Sequence, residues 1–136
     1  FCHPGLSGII LKEGMEARFA RHERIGRAFQ AAIGALGMGQ VPSKLEYAAH
    51  TMTAPRFPAG VNGAEFLLKV RQAGAFLAGG LHPEIRSEYF RIGHMGSTAL
   101  GDTLATVGAV EAGLAGCGYK FEPGAGMEAA MAAYQG

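Results

Sequence analysis

The longest apolar stripe of the sequence runs from residue 15 to residue 36 and is spaced for one face of a helix. Its members follow one another at alternating steps of four and three residues: Met15, Phe19, His22, Gly26, Phe29, Ile33 and Leu36. This spacing matches the helical period and predicts one long helix packed along that face. Because glutamates alternate with the arginines on its other faces, we interpret those faces as solvated surface and not as a nucleic-acid site.

Shorter segments place this helix in a mixed domain. Further helices are predicted before Gly14, at 62–73, at 98–117 and after residue 126, and strands are predicted at 47–53, 75–78 and 89–93. Asn62 is the expected N-cap of its helix. This order favours an α+β fold, in which helices cover one face of a small, mostly antiparallel sheet. The other face is then left for a ligand or for a partner domain.

The last predicted strand contains an arginine within an apolar run, Tyr89-Phe90-Arg91-Ile92-Gly93-His94-Met95-Gly96. Alternation places Phe90 and Ile92 on one face and Arg91 on the other. Burying a guanidinium without a partner is costly, so Arg91 requires an internal carboxylate or an anionic ligand. The alternative is an arginine on a solvent-facing edge strand or in a domain interface.

Composition narrows the class of protein. The 136 residues suit one domain, and the hydrophobic fraction of 49% argues against general disorder. The net charge of +1 provides little attraction for nucleic acid or for an acidic membrane, and no apolar run reaches membrane-spanning length. Cys2 and Cys117 form no disulfide framework, which favours a reducing intracellular compartment without discriminating among cytoplasm, mitochondrion and peroxisome. The start at Phe1, without a signal peptide, indicates a piece of a longer protein.

Other candidate sites are weaker. His50, His82 and His94 could meet in space, but no ligand spacing joins them to a carboxylate, so we predict no metal site. His22 is expected to pack in the core. His94 either flanks a substrate in the cleft or packs beneath the strand, and we favour packing. Cys117 is better explained as a small buried apolar residue than as a reactive thiol.

Three runs of the sequence resemble a known family. They are Glu13-Gly14-Met15-Glu16-Ala17-Arg18-Phe19-Ala20-Arg21-His22, Ala78-Gly79-Gly80-Leu81-His82 and the run from Tyr89 to Gly96. Together they resemble the C-terminal small domain of class V, fold-type-I, pyridoxal-phosphate-dependent aminotransferases, in particular the alanine–glyoxylate (serine–pyruvate) group. The similarity covers roughly residues 4–119, and Arg-Ile-Gly-His-Met-Gly is its most specific part.

The resemblance implies different roles for two domains of a longer chain. The matching arginine of the family binds the substrate α-carboxylate, which implies this role for Arg91, and Gly79 and Gly80 would line the substrate mouth. The family's large domain holds most of the pyridoxal 5'-phosphate and supplies the lysine that binds it covalently. None of the four lysines present matches that residue: Lys12, Lys44, Lys69 and Lys120. We therefore expect no catalytic or cofactor-binding residue in this chain, and no activity of the chain alone.

The expected organisation is a small domain at 1–121, followed by a flexible joint and a short C-terminal helix at 122–136. The resemblance implies a full-length homodimer that moves an amino group from alanine or serine to glyoxylate or a similar oxo acid. Two alternatives stay open. One is a ureidoglycine–glyoxylate aminotransferase or a desulfurase-like relative, and the other is a free-standing, non-catalytic binding or assembly module.

Overall fold

A computed structural model describes residues 4–136, so Phe1, Cys2 and His3 lie outside the described residues. Within that range the helices are α1 (Pro4–Glu13), α2 (Met15–Ala35), α3 (Gly63–Gln72), α4 (Leu100–Gly116) and α5 (Ala125–Gln135). The strands are β1 (Met52–Thr53), β2 (Ala78–Gly79) and β3 (Phe90–Gly93), and a single 3-10 turn covers Leu45–Tyr47. The predicted α+β class is confirmed.

The long helix forms as predicted and ends one residue early. Leu36 is its C-cap, and Gly37 follows with a φ of 72°, a left-handed conformation that glycine adopts without steric cost. Burial begins only at His22, because the first two members of the stripe, Met15 and Phe19, are 50% and 64% exposed. The apolar face of α2 is therefore core over its last five stripe residues and open surface over its first two.

The sheet has the strand order β1-β3-β2, and both pairings are antiparallel. Met52 lies opposite Gly93 in one ladder, and Ala78 lies opposite Arg91 in the other. Strand β3 is thus central, so of the two alternatives for Arg91 the solvent-facing edge strand is wrong and the domain interface stays open. Phe90 and Ile92 are buried at 0% and 1% exposure, as alternation predicts.

Two of the predicted strands are mostly wrong. Of 47–53, only Met52–Thr53 is strand, because Met52 already pairs with Gly93, the last residue of β3. Thr51 O still accepts the His94 N–H at 3.0 Å, but Tyr47 and Ala48 bond backward within the 3-10 turn. Of 75–78, only Ala78 is strand, and it is exposed instead of buried. Ala75 N–H donates to Val70 O at 3.2 Å, so this residue belongs to the end of α3.

The helices cover the buried face of the sheet. The ring centre of Phe90 lies 5.0 Å from that of Phe66 on α3 and 5.3 Å from that of Phe57, with the rings tilted in both pairs. The predicted N-cap is confirmed, since Asn62 Oδ1 accepts the Glu65 N–H at 3.0 Å. Helix α4 crosses α3 at Gly113, where an added Cβ would lie 2.5 Å from Val70 Cγ2. A side chain at that position would push the two helices apart.

Helix α5 docks on α2 and α4. Its first turn is held by the buried carboxylate of Glu111 on α4, which accepts the N–H groups of Gly124 at 2.9 Å and of Gly126 at 3.0 Å. A carboxylate at a helix N-terminus satisfies free amides and complements the helix dipole. The division at residue 121 stays a prediction, but the glycine-rich turn expected as a joint has its amides bound to α4.

Candidate functional site

Arg91 lies at the centre of β3 on the face opposite to the core. Its neighbours Phe90 and Ile92 point inward and anchor the strand, so the guanidinium is directed to the open side of the sheet. Nε donates a hydrogen bond to Gly79 O of β2 at 2.9 Å. The strand pairing therefore places the guanidinium and supplies the acceptor that orients it.

Arg91 has no carboxylate partner among residues 4–136. The ion pairs of that range join Glu13 with Arg18 and Arg21, Lys44 with Glu46, Arg56 with Glu88, and Lys69 with Glu65. With Nε bound to a neutral carbonyl, neither Nη group has a hydrogen bond to residues 4–136, so both can donate to a ligand. A cation without a counter-charge, beside an opening, is suited to an anionic ligand.

A pocket of about 240 Å³ lies beside the guanidinium. Its other lining residues are Met52, Phe76, Ala78, Gly93 and Met95. The side chains among these residues are apolar, whereas Phe76 and Met95 are 78% and 68% exposed, so the pocket is open to solvent. The pocket can hold a small molecule that carries a carboxylate.

The two glycines of the predicted substrate mouth differ in their surroundings. A Cβ at Gly79 would meet nothing within 4 Å, so this residue contributes its carbonyl group and its accessible backbone. A Cβ at Gly80 would lie 2.6 Å from Tyr89 Cε1 and 2.7 Å from Arg86 O. The missing side chain of Gly80 is therefore required by the packing of its own turn.

His94 packs in the core, as expected. It is fully buried, stacks on Phe29 at 4.8 Å and shares a hydrogen bond of 2.9 Å between Nε2 and Thr53 Oγ1. Burial, with a smaller contribution from His22, lowers the pKa of His94 to about 4. The ring is therefore neutral at pH 7 and has a structural role.

The structure offers no metal site within residues 4–136, where no group of three or more histidine, cysteine, aspartate or glutamate side chains could hold an ion. Of the three histidines considered together, His94 is buried whereas His50 and His82 are exposed. Cys117 is half-buried, and burial raises the pKa of its thiol, which agrees with a packing role.

Sequence reasoning missed the network that fixes the turn after β3. Arg21, interpreted as a solvated residue, has a side chain only 17% exposed and bonds Glu13 Oε1 at 2.6 Å, Thr98 O at 2.8 Å and Gly96 O at 3.0 Å. Hydrogen bonds from Arg21, with Arg18 assisting, hold the pKa of Glu13 at about 2. The helical spacing carried no signal for these contacts, because Gly96 and Thr98 are distant in sequence.

The lysines are remote from the arginine pocket. Lys44 and Lys69 pair with glutamates, and Lys69 also donates to Gly116 O. Lys12 and Lys120 are exposed, and no lysine lines the pocket beside Arg91 within residues 4–136. The anion-binding role of Arg91 and the expected absence of a cofactor-binding residue both stay predictions.

Comparisons with known proteins identify relatives, although no family model matches the chain. Over 123 residues the chain is 33% identical to serine–glyoxylate aminotransferase of Arabidopsis thaliana, covering 90% of this chain and 30% of that protein. Over 125 residues it is 42% identical to the small subunit of a soluble hydrogenase of Synechococcus, covering 87% of this chain and 30% of that protein.

Among solved structures, the pyridoxamine–pyruvate aminotransferase of Mesorhizobium loti superposes with a TM-score of 0.88 at 32% identity. The match covers 94% of this chain and 33% of that one. The chain belongs to the class V aminotransferases, as their C-terminal domain. This domain spans about 30% of the length of the curated relatives that it matches.

Within residues 4–136, no helix is both long and apolar enough to cross a membrane.

Proposed function

We propose that this C-terminal domain works in a pyridoxal-phosphate-dependent aminotransferase that moves an amino group from alanine or serine to glyoxylate or a similar oxo acid. Its part in the reaction is to hold the substrate α-carboxylate on Arg91. The observation that carries the proposal is the guanidinium itself, which faces an apolar pocket and has no carboxylate partner among residues 4–136.

The geometry of Arg91 suits a carboxylate bound through two parallel hydrogen bonds. The Gly79 carbonyl accepts from Nε, which leaves the edge formed by the two Nη groups for the ligand. A guanidinium edge matches the two oxygens of a carboxylate in spacing and in plane, so it fixes the orientation of the substrate as well as its position. Orientation matters because a correctly held substrate reaches the reactive geometry with less entropy to lose.

Pyridoxal phosphate, when bound, supplies the electron-sink chemistry of amino transfer. The residues that would hold it covalently belong to the large domain, which we propose as the partner of this domain within one longer chain and within a homodimer. Gly79 and Gly80 would border the substrate mouth between the two domains. The pocket of about 240 Å³ beside Arg91 suits small substrates such as alanine, serine and glyoxylate.

Replacing Arg91 by alanine in the full-length protein tests the proposal. Loss of a charged double hydrogen bond should lower kcat/KM for alanine or serine by about a hundredfold or more, chiefly through a higher KM. Visible absorbance of the bound cofactor should be retained, since Arg91 does not hold it. Arg27→Ala is the matched control, because Arg27 is exposed on α2. Kinetics of Arg91→Ala equal to those of the control would refute the assigned role.

A second candidate of another class is a non-catalytic subunit or assembly module. The observation that favours it is the 42% identity to a protein named as a hydrogenase subunit. Purified full-length protein without cofactor absorbance, and without activity on alanine, serine or ureidoglycine with glyoxylate, would support this candidate. Cofactor absorbance that responds to one of these donors would support the aminotransferase and identify its amino donor.

A further inference from the structure

The hydroxyl group of Tyr89 joins the turn after β2 to the start of β3. Its oxygen accepts the backbone N–H of Leu81 at 2.9 Å and that of His82 at 3.1 Å. Tyr89 is only 7% exposed, so its ring is packed, whereas Leu81 is 70% exposed and the two hydroxyl bonds are partly buried. The two donors lower the pKa of the hydroxyl, His82 more than Leu81, as expected for an oxygen that accepts both bonds.

The ring of Tyr89 fixes the same turn through packing. It lies so close to Gly80 that an added Cβ there would be 2.6 Å from Cε1. The ring therefore holds Gly80, and the hydroxyl holds the next two residues. A turn that is bound at three consecutive residues has little freedom to shift relative to β3.

This turn, residues 80–82, follows directly after Gly79, the residue that orients the proposed substrate arginine. Gly79, the neighbour of Gly80, provides the carbonyl that accepts from Arg91 Nε at 2.9 Å. Gly79 has no side chain to anchor it, and a Cβ there would touch nothing within 4 Å. The position of its carbonyl is thus determined by the strand pairing on one side and by the turn held by Tyr89 on the other.

We propose that Tyr89 is a positioning residue for Arg91, acting through the 80–82 turn and the Gly79 carbonyl to aim the Nη edge at the substrate carboxylate. The inference rests on the proposed function of Arg91. Tyr89 is two residues from Arg91 in β3, so one short strand carries both the substrate arginine and the side chain that steadies its acceptor.

Tyr89→Phe in the full-length protein tests this inference, because it removes both hydroxyl bonds and keeps the ring against Gly80. We expect KM for alanine or serine to rise about tenfold, with kcat changed by less than about threefold and with the cofactor absorbance retained. Tyr119→Phe is the matched control, since Tyr119 is a half-buried tyrosine that packs with Phe121 after α4. Equal KM values for Tyr89→Phe and the control would overturn the inference.

A double-mutant cycle distinguishes positioning from a general loss of stability. If Tyr89 acts through Arg91, then Tyr89→Phe should have almost no further effect on kcat/KM in an Arg91→Ala background. A full additional loss in that background would show that Tyr89 acts by another route and would overturn the inference. If Arg91→Ala alone had no effect, the proposed function would fail. An effect of Arg91→Ala without one of Tyr89→Phe would defeat only the positioning role.

Leu81→Pro provides a second variant should Tyr89→Phe fail to fold. It removes one of the two N–H donors and leaves the tyrosine intact, and Leu81 is 70% exposed. We expect an increase in KM in the same direction, again without loss of cofactor absorbance. An unchanged KM for Leu81→Pro would count against the inference.

Discussion

His94 shows how a titratable residue of the strand run becomes part of the core. It follows Phe90 and Ile92 at steps of two, so alternation already directs it inward, where it stacks on Phe29 and bonds Thr53. Its pKa of about 4 lies below the ordinary value of 6.5 because burial disfavours the charged ring. Between pH 4 and pH 6.5, His94 therefore binds a proton more readily in the unfolded chain than in the folded chain.

The residue-scale prediction is a loss of stability in mild acid. The contribution of neutral His94 is fully present above pH 6.5 and is lost as the pH falls through 4, with a limit of about 3 kcal/mol at roughly 1.4 kcal/mol per pKa unit. Denaturant unfolding between pH 7.5 and pH 4 measures this slope. A His94→Gln variant, which has no group to titrate there, should show a shallower slope, and equal slopes would contradict the assignment.

At the scale of elements, helix packing depends on where glycines allow close approach. Gly113 of α4 faces Val70 and Phe66 of α3, and a Cβ there would lie 2.5 Å from Val70 Cγ2 and 3.2 Å from Phe66 Cε2. Gly34 of α2 is also helical, but a Cβ there would meet nothing within 4 Å. Both residues are glycines within helices, but an added Cβ would collide with a neighbouring helix at Gly113 and would meet open space at Gly34.

Alanine substitutions at these two glycines should therefore have opposite signs. Gly113→Ala should lower the free energy of unfolding by about 1–3 kcal/mol through overpacking, less any gain in helix propensity. Gly34→Ala should raise it by about 0.5–1 kcal/mol, because alanine restricts the unfolded chain and favours the helix. Chemical denaturation of the two variants alongside the parent measures both values, and a stabilised Gly113→Ala would refute the close crossing.

At the scale of the whole molecule, the exposed N-terminal end of the α2 stripe borders a second pocket, of about 410 Å³. Met15 and Phe19 line it together with Met95, and all three are at least half exposed. Contiguous apolar surface of this kind is generally covered in a functional assembly. The relatives are about three times as long as this chain, so the rest of the full-length protein is the expected cover.

The 136-residue chain expressed by itself should consequently self-associate through this surface. Phe19→Lys should reduce the association by placing a charge in the apolar patch, as measured by sedimentation velocity over a range of concentrations. Leu68→Lys is the control, because Leu68 is 55% exposed on α3, outside this patch. A chain that stays monomeric at high concentration, or an equal effect of the two variants, would contradict the prediction.

Local signals were sufficient for the long elements. The stripe of α2, the Asn62 cap and the inward Phe90 and Ile92 could be read from the sequence, because helical period, capping chemistry and strand alternation depend on neighbouring residues. Strands β1 and β2 were placed poorly, since a two-residue strand is defined by its partner and leaves almost no pattern of its own. The same holds for Glu111, because the backbone N–H groups that donate to its carboxylate lie at the start of a later helix.

The sequence by itself determined the α+β class, the outward side of Arg91 and the resemblance that suggests its ligand. Only the tertiary structure decided that β3 is central, that Gly79 O orients the guanidinium, and that no carboxylate of residues 4–136 neutralises it. The physical reason is the separation along the chain over which each interaction acts. Periodicity and capping act over a few residues along the chain, whereas strand order, hydrogen-bond partners and the absence of a counter-charge depend on which distant segments the fold brings together.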